Sequence, residues 1–133
     1  MPGFRGKAEA ARDRGAFFNM APNATAAFDH ALDVLATTPH SKYKWGVTSK
    51  PDTRWLHYLE DGHGWTRMTH IFASENPEET ELLETCLIVR CAPKASLTAL
   101  ERSWSGCQNS VKGIRKGTRH GVPPHFLYVV TNG

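Results

Sequence analysis

Apolar residues return at helical spacing between Ala24 and Thr37, where Phe28, Leu32 and Leu35 form a stripe; Asn23 or Thr25 can cap the segment and Pro39 forbids its continuation. A helix covering one face of a sheet is expected there. From Tyr43 to Thr48 the period changes to two, with Tyr43, Trp45 and Val47 on one side and Lys44, Gly46 and Thr48 on the other. This is a short strand. Asp52 can cap a helix over Thr53–Glu60, and the glycine-containing turn after it leads to a second strand over Trp65–Phe72, with Met68, His70 and Phe72 predicted on one face. Asn76, Pro77, Glu78 and Glu79 then open a helix expected to reach about Arg90. Ser96 can cap a further helix over Leu97–Trp104, and HFLYVV at 125–130 has the pattern of a strand that pairs in the sheet.

These elements predict an α+β fold: a small, mainly antiparallel three-stranded sheet flanked by three to four helices. A chain of 133 residues, 40% hydrophobic, suits one domain with a modest core. Residues 1–22, rich in Ala, Arg and Gly, are expected to form a mobile arm before a single domain over 23–133, with a basic, glycine-punctuated loop at 106–124. No run of about 18 apolar residues predicts a membrane span, and the N-terminal stretch lacks the apolar centre of a secretory signal, so an intracellular location is expected.

Charge changes the picture more by its placement than by its sum of +3. Glu75, Glu78, Glu79, Glu81 and Glu84 fall in a stretch without a base, whereas Arg90 to His120 holds seven bases against Glu101 alone. Bases so concentrated suit a polyanion, because each one near a phosphate releases condensed counterions; a solvated basic tail has the same composition. Cys86, Cys91 and Cys107 are odd in number and irregularly spaced, which argues against a disulfide framework.

One group of residues suggests chemistry. Lys44 shares its strand face with Gly46, which leaves room beside the ammonium for a ligand or another backbone. Arg54 lies in the first turn of the next helix, against the helix dipole, as an anion site requires. Glu84 is flanked by apolar Leu87 and Ile88 three and four positions on, and a carboxylate so placed wants a cation or a metal.

KWGVTSKPDTRW at 44–55, followed by a strand and then LLETCLI at 82–88, resembles the GIY-YIG nuclease superfamily. In that family a strand bearing a tyrosine-any-glycine triplet precedes, by ten residues, an arginine on a helix, and a glutamate follows in a pattern close to LLExxLI. Here the triplet is Lys44-Trp45-Gly46, a lysine replacing the second tyrosine as in a branch of the superfamily. The resemblance implies metal-dependent endonucleolytic hydrolysis of DNA phosphodiesters with Mg2+ or Mn2+, RNA not being excluded. It implies Glu84 as metal ligand, Arg54 as electrostatic stabiliser, and Lys44 with the neighbouring Tyr43 as catalytic candidates. Tyr58, four residues after Arg54, stands where many members have histidine. The family's first triplet has no counterpart before Tyr43; if the C-terminal strand pairs beside the Tyr43 strand, as in a circular permutation, Tyr128 supplies the missing hydroxyl. Asn109 is the candidate for the family's asparagine after the glutamate, and with Lys112, Arg115, Lys116 and Arg119 it completes the expected nucleic-acid contacts.

Two other classes fit the same residues. A noncatalytic nucleic-acid-binding module would use Lys44, Arg54 and the basic loop for phosphates and Glu84 only structurally. A zinc-stabilised module would use Cys86, Cys91, Cys107 and His120, although their spacing matches no strong zinc pattern. Nothing in the sequence reads as a base-recognition helix, so site selection is expected to need a structured substrate, a homodimer or a partner protein.

Overall fold

The computed structural model describes residues 20–91, 106–109 and 121–133. The elements are α1 (Ala24–Thr37), β1 (Tyr43–Thr48), α2 (Pro51–Glu60), β2 (Arg67–Ser74), α3 (Pro77–Cys91) and β3 (His125–Thr131). The class is α+β. The expected helix over Leu97–Trp104 lies outside the described residues, as does most of the expected N-terminal arm. Ala21, within that arm's expected span, is buried, and its N–H donates to the Ile71 carbonyl over 2.7 Å.

Local chemistry accounts for the helix starts. The Asn23 side chain accepts from Ala26 N at 3.0 Å, capping α1. At α3 the Asn76 carboxamide accepts from Glu78 N at 3.0 Å, with Pro77 opening the helix. α2 begins earlier than Asp52 predicts: Pro51, with φ preset for a helix and no N–H to satisfy, opens it after Lys50, and Asp52 sits inside the first turn.

The sheet order is β1-β3-β2, antiparallel throughout, so the last strand in sequence is the central one. β3 alternates Leu127 and Val129 toward one face with Tyr128 and Val130 toward the other. The first face, with Tyr43, Trp45, Ile71 and Phe72, packs under α1 and α3, which supply Ala27, Ala31, Leu35, Leu83, Leu87 and Ile88. The second, with Met68, packs under α2 through Trp55 and Tyr58, closed by Trp65. The strict alternation predicted for β2 fails at its middle. A bulge between His70 and Phe72 inserts Ile71, so Met68 serves the α2 side while Phe72 turns to the α1–α3 side. The Ile71 carbonyl at the bulge is the one that Ala21 binds.

The free edge of β1 is occupied by residues 106–109. Tyr43 N donates to Gly106 O at 2.9 Å and Gln108 N to Tyr43 O at 2.8 Å. The Asn109 carboxamide then continues the ladder in place of a peptide group, accepting from Trp45 N at 2.7 Å and donating to Trp45 O at 3.0 Å. Among the described residues, no helix is long and apolar enough to cross a membrane.

Candidate active site

The site is built on a missing side chain. Gly46 of β1 lies directly opposite Tyr128 of β3, and the Tyr128 ring leans across it. A Cβ on residue 46 would collide with the phenolic oxygen and ring of Tyr128, reaching 2.8 Å from Cε1. Only glycine admits this close approach. The room beside Lys44 that the sequence pattern suggests is therefore filled from the protein's own last strand.

From the other side α2 brings Tyr58 onto the same spot. The two phenolic oxygens are 2.7 Å apart, and the rings meet edge to face at 5.9 Å between centroids. Arg54, one helical turn before Tyr58, lies near enough for its guanidinium to favour the ionised form of the Tyr58 hydroxyl. Lys44 Nζ lies 6.0 Å from the Tyr58 ring centroid, within cation–π range. Trp65 packs against Tyr58 at 6.1 Å. The Lys42 ammonium holds Trp65 in turn, lying 4.8 Å from its ring centroid and donating to the His63 carbonyl.

Electrostatics ties the acid into the group. Burial pushes the Tyr58 hydroxyl above its usual range; the Tyr128 hydroxyl and the Arg54 guanidinium pull it back, and the Glu84 carboxylate pushes it up. Burial likewise raises Tyr128 well above its usual value, with Arg54 opposing and Glu84 adding. Arg54 and Glu84 thus act on one pair of hydroxyls from helices on opposite faces of the sheet. Both phenols are neutral at physiological pH. The Tyr58 and Tyr128 hydroxyls are each other's partner, and either can be the donor.

Lys44, Arg54, Tyr58, Tyr128 and Glu84 are thereby drawn into one neighbourhood, while Tyr43 is not. Its ring lies on the opposite face of β1, buried with Trp45 at 5.8 Å and interacting with Cys91 and Cys107. The cause is the period of two: a residue adjacent to Lys44 must face the other way. Asn109 is bound through both amide atoms to the Trp45 backbone and so serves as an edge clamp. Lys112, Arg115, Lys116 and Arg119 lie outside the described residues. The sequence pattern suggests no role for His70, which is fully buried, pairs with Tyr128 across β2–β3 and meets the Phe126 ring at a tilt of 45° with centroids 5.4 Å apart. Its place on a strand is legible in the sequence; its alignment with Tyr128 requires the register.

The three cysteines do not act as one set. Cys86 is exposed, while Cys91 and Cys107 are buried beside Tyr43, and burial pushes the Cys107 thiol up to about 11. Among the described residues no three His, Cys, Asp or Glu side chains group as a metal site. Glu84 is a single carboxylate; a hard divalent ion of the magnesium kind takes one or two of these, with waters and substrate phosphates completing its shell. Glu84 is half-buried on α3, the helix that buries Thr80, Leu83, Leu87 and Ile88. Compared with protein-family models, curated proteins and solved structures, the chain matches none.

Proposed function

We propose that the protein is a metal-dependent endonuclease that hydrolyses DNA phosphodiesters at the Tyr58–Tyr128 pair. The reading is supported above all by that pair, 2.7 Å apart over Gly46 and within the fields of Arg54 and Glu84. It unites a resemblance in sequence order with an arrangement in which the last strand supplies the hydroxyl that the order lacks.

On this reading Arg54 donates its N–H groups to the phosphoryl oxygens on which negative charge grows. Lys44 adds a positive charge beside the attacking water, and the Tyr58 O–H orients that water or a phosphate oxygen. Tyr128 positions Tyr58. Glu84 would hold Mg2+ or Mn2+, which when bound supplies charge neutralisation at the phosphate. As the water oxygen bonds to phosphorus and the P–O bond to the leaving group breaks, the water's proton passes to solvent and the leaving oxygen takes one from it, so neither buried phenol is converted to its anion and both hydroxyls act as hydrogen-bonding groups. Lys112, Arg115, Lys116 and Arg119 are assigned to flanking phosphates.

Plasmid nicking with Mg2+ or Mn2+ tests the proposal. Cleavage is expected for the unaltered protein, abolished by Glu84→Ala and reduced about 100-fold or more by Arg54→Ala. Binding of plasmid without cleavage under any divalent ion, unchanged in Glu84→Ala, would instead identify a noncatalytic nucleic-acid-binding module.

A further inference from the structure

Lys42 stands one residue before β1, where the chain is already paired. Its N–H donates to the Asn132 carboxamide at 2.7 Å, and its carbonyl accepts from Asn132 N at 3.3 Å. The alternation of β1 therefore extends back to it, and Lys42 and Lys44 leave the same face of the strand about 6.6 Å apart. That spacing is comparable with the one between successive phosphates of a nucleic-acid strand. Lys44 lies by the Tyr58 ring and Lys42 by the Trp65 ring, and the two rings are neighbours at 6.1 Å.

The Lys42 ammonium is held in place without being neutralised. The residue is half-buried, with its charge 4.8 Å from the Trp65 centroid. One of its three N–H groups goes to the His63 carbonyl, in a turn shaped by Gly62 and Gly64, both at positive φ. Asp61, the acid of that turn, is engaged elsewhere: its carboxylate accepts from His63 N at 2.8 Å. Among the described residues no carboxylate pairs with Lys42 or Lys44. An apolar side chain would pack on Trp65 as well, whereas an ammonium there loses hydration that a ring and a carbonyl offset only in part. An anion completes the arrangement.

We propose that Lys42 binds the phosphate next to the scissile one on the same strand, so that the site takes an internal phosphodiester of a polynucleotide in preference to a lone phosphate ester. The inference rests on the nuclease reading above, in which Lys44 and Arg54 serve the scissile phosphate. Held by Trp65 before substrate arrives, Lys42 loses little freedom on binding and fixes which phosphate reaches Tyr58.

Nitrophenyl esters fix the scissile phosphate and so provide the test. Thymidine bearing one nitrophenyl phosphate, on its 5′ or its 3′ oxygen, is compared in Mn2+ with the corresponding thymidine dinucleotides, whose second phosphate lies next to the cleaved one. One of the two dinucleotides should show a KM about tenfold below that of its mononucleotide. Lys42→Met should remove that gain through KM rather than kcat, and Lys42→Arg should keep it. Dinucleotides no better than mononucleotides, or a Lys42→Met variant that affects both kinds of ester equally, overturn the inference. Where no ester is hydrolysed, the plasmid assay decides for the nuclease reading and binding decides for Lys42. Lys42→Met should then flatten the log–log salt dependence of binding to a fluorescent single-stranded oligonucleotide by about 0.7; an unchanged slope overturns its role. Near-UV circular dichroism of Lys42→Met separates loss of a phosphate contact from loss of the Trp65 packing.

Discussion

Gly46 and Tyr128 are one decision made at two positions. The glycine is tolerated in the middle of a strand because a tyrosine from the neighbouring strand uses its space, so Gly46→Ala should cost about 1–3 kcal/mol in urea unfolding although alanine is otherwise acceptable there. Tyr58→Phe and Tyr128→Phe each remove one end of the buried hydroxyl pair. A double-mutant cycle should return a coupling of about 1 kcal/mol. The phenols also make a prediction about pH. Tyr43, Tyr58 and Tyr128 are all the tyrosines in the chain, and burial raises each above the ordinary value of 10.0. Below pH 10 folded and unfolded chains hold these protons equally; above it the unfolded chain releases them first, so stability falls as pH rises. Spectrophotometric titration should show no phenolate in the native protein near pH 10, and all three signals should appear together on alkaline unfolding. A phenolate appearing in a still-folded chain would contradict the burial described.

At the scale of elements, the sequence pattern predicts α1 and β1 with the bounds observed, because a capping asparagine, a stop proline and clean alternation leave little choice. β2 is displaced: predicted from Trp65 to Phe72, it runs Arg67–Ser74. Trp65 has a strand former's side chain but is used as a lid on Tyr58, and a bulge at Ile71 is invisible to a pattern of two. The placing of Lys44, Arg54 and Glu84 on three separate elements is legible from capping and period, and the exclusion of Tyr43 follows from an alternation that is itself legible. The role of Asn109 is not, since nothing local marks a carboxamide that will act as a strand's peptide group more than sixty residues away. Asn109→Ala removes both bonds to Trp45 and should cost about 1–3 kcal/mol, with faster amide exchange at Trp45 than at Tyr128 as the local signature.

For the whole molecule, a net charge of +3 conceals an acidic α3 and a basic stretch between α3 and β3. If the basic residues bind phosphates, replacing Lys112 and Arg115 by alanine should weaken DNA binding alike for all sequences and flatten the log–log salt dependence by about 0.9 for each phosphate no longer neutralised. Glu84→Gln should leave that slope unchanged. The position of β3 has a further consequence for how the chain is made. β1 and β2 never touch each other in the sheet; the strand that each pairs with is β3. While the ribosome is still adding residues before His125, neither has that strand beside it, and Trp45, Ile71 and Phe72 wait on two segments with no sheet to join. Closure then joins segments as far apart as Tyr43 and Thr131 in a single late event. The newborn chain thus has an extended window in which its adhesive strands are open to chaperones or to one another.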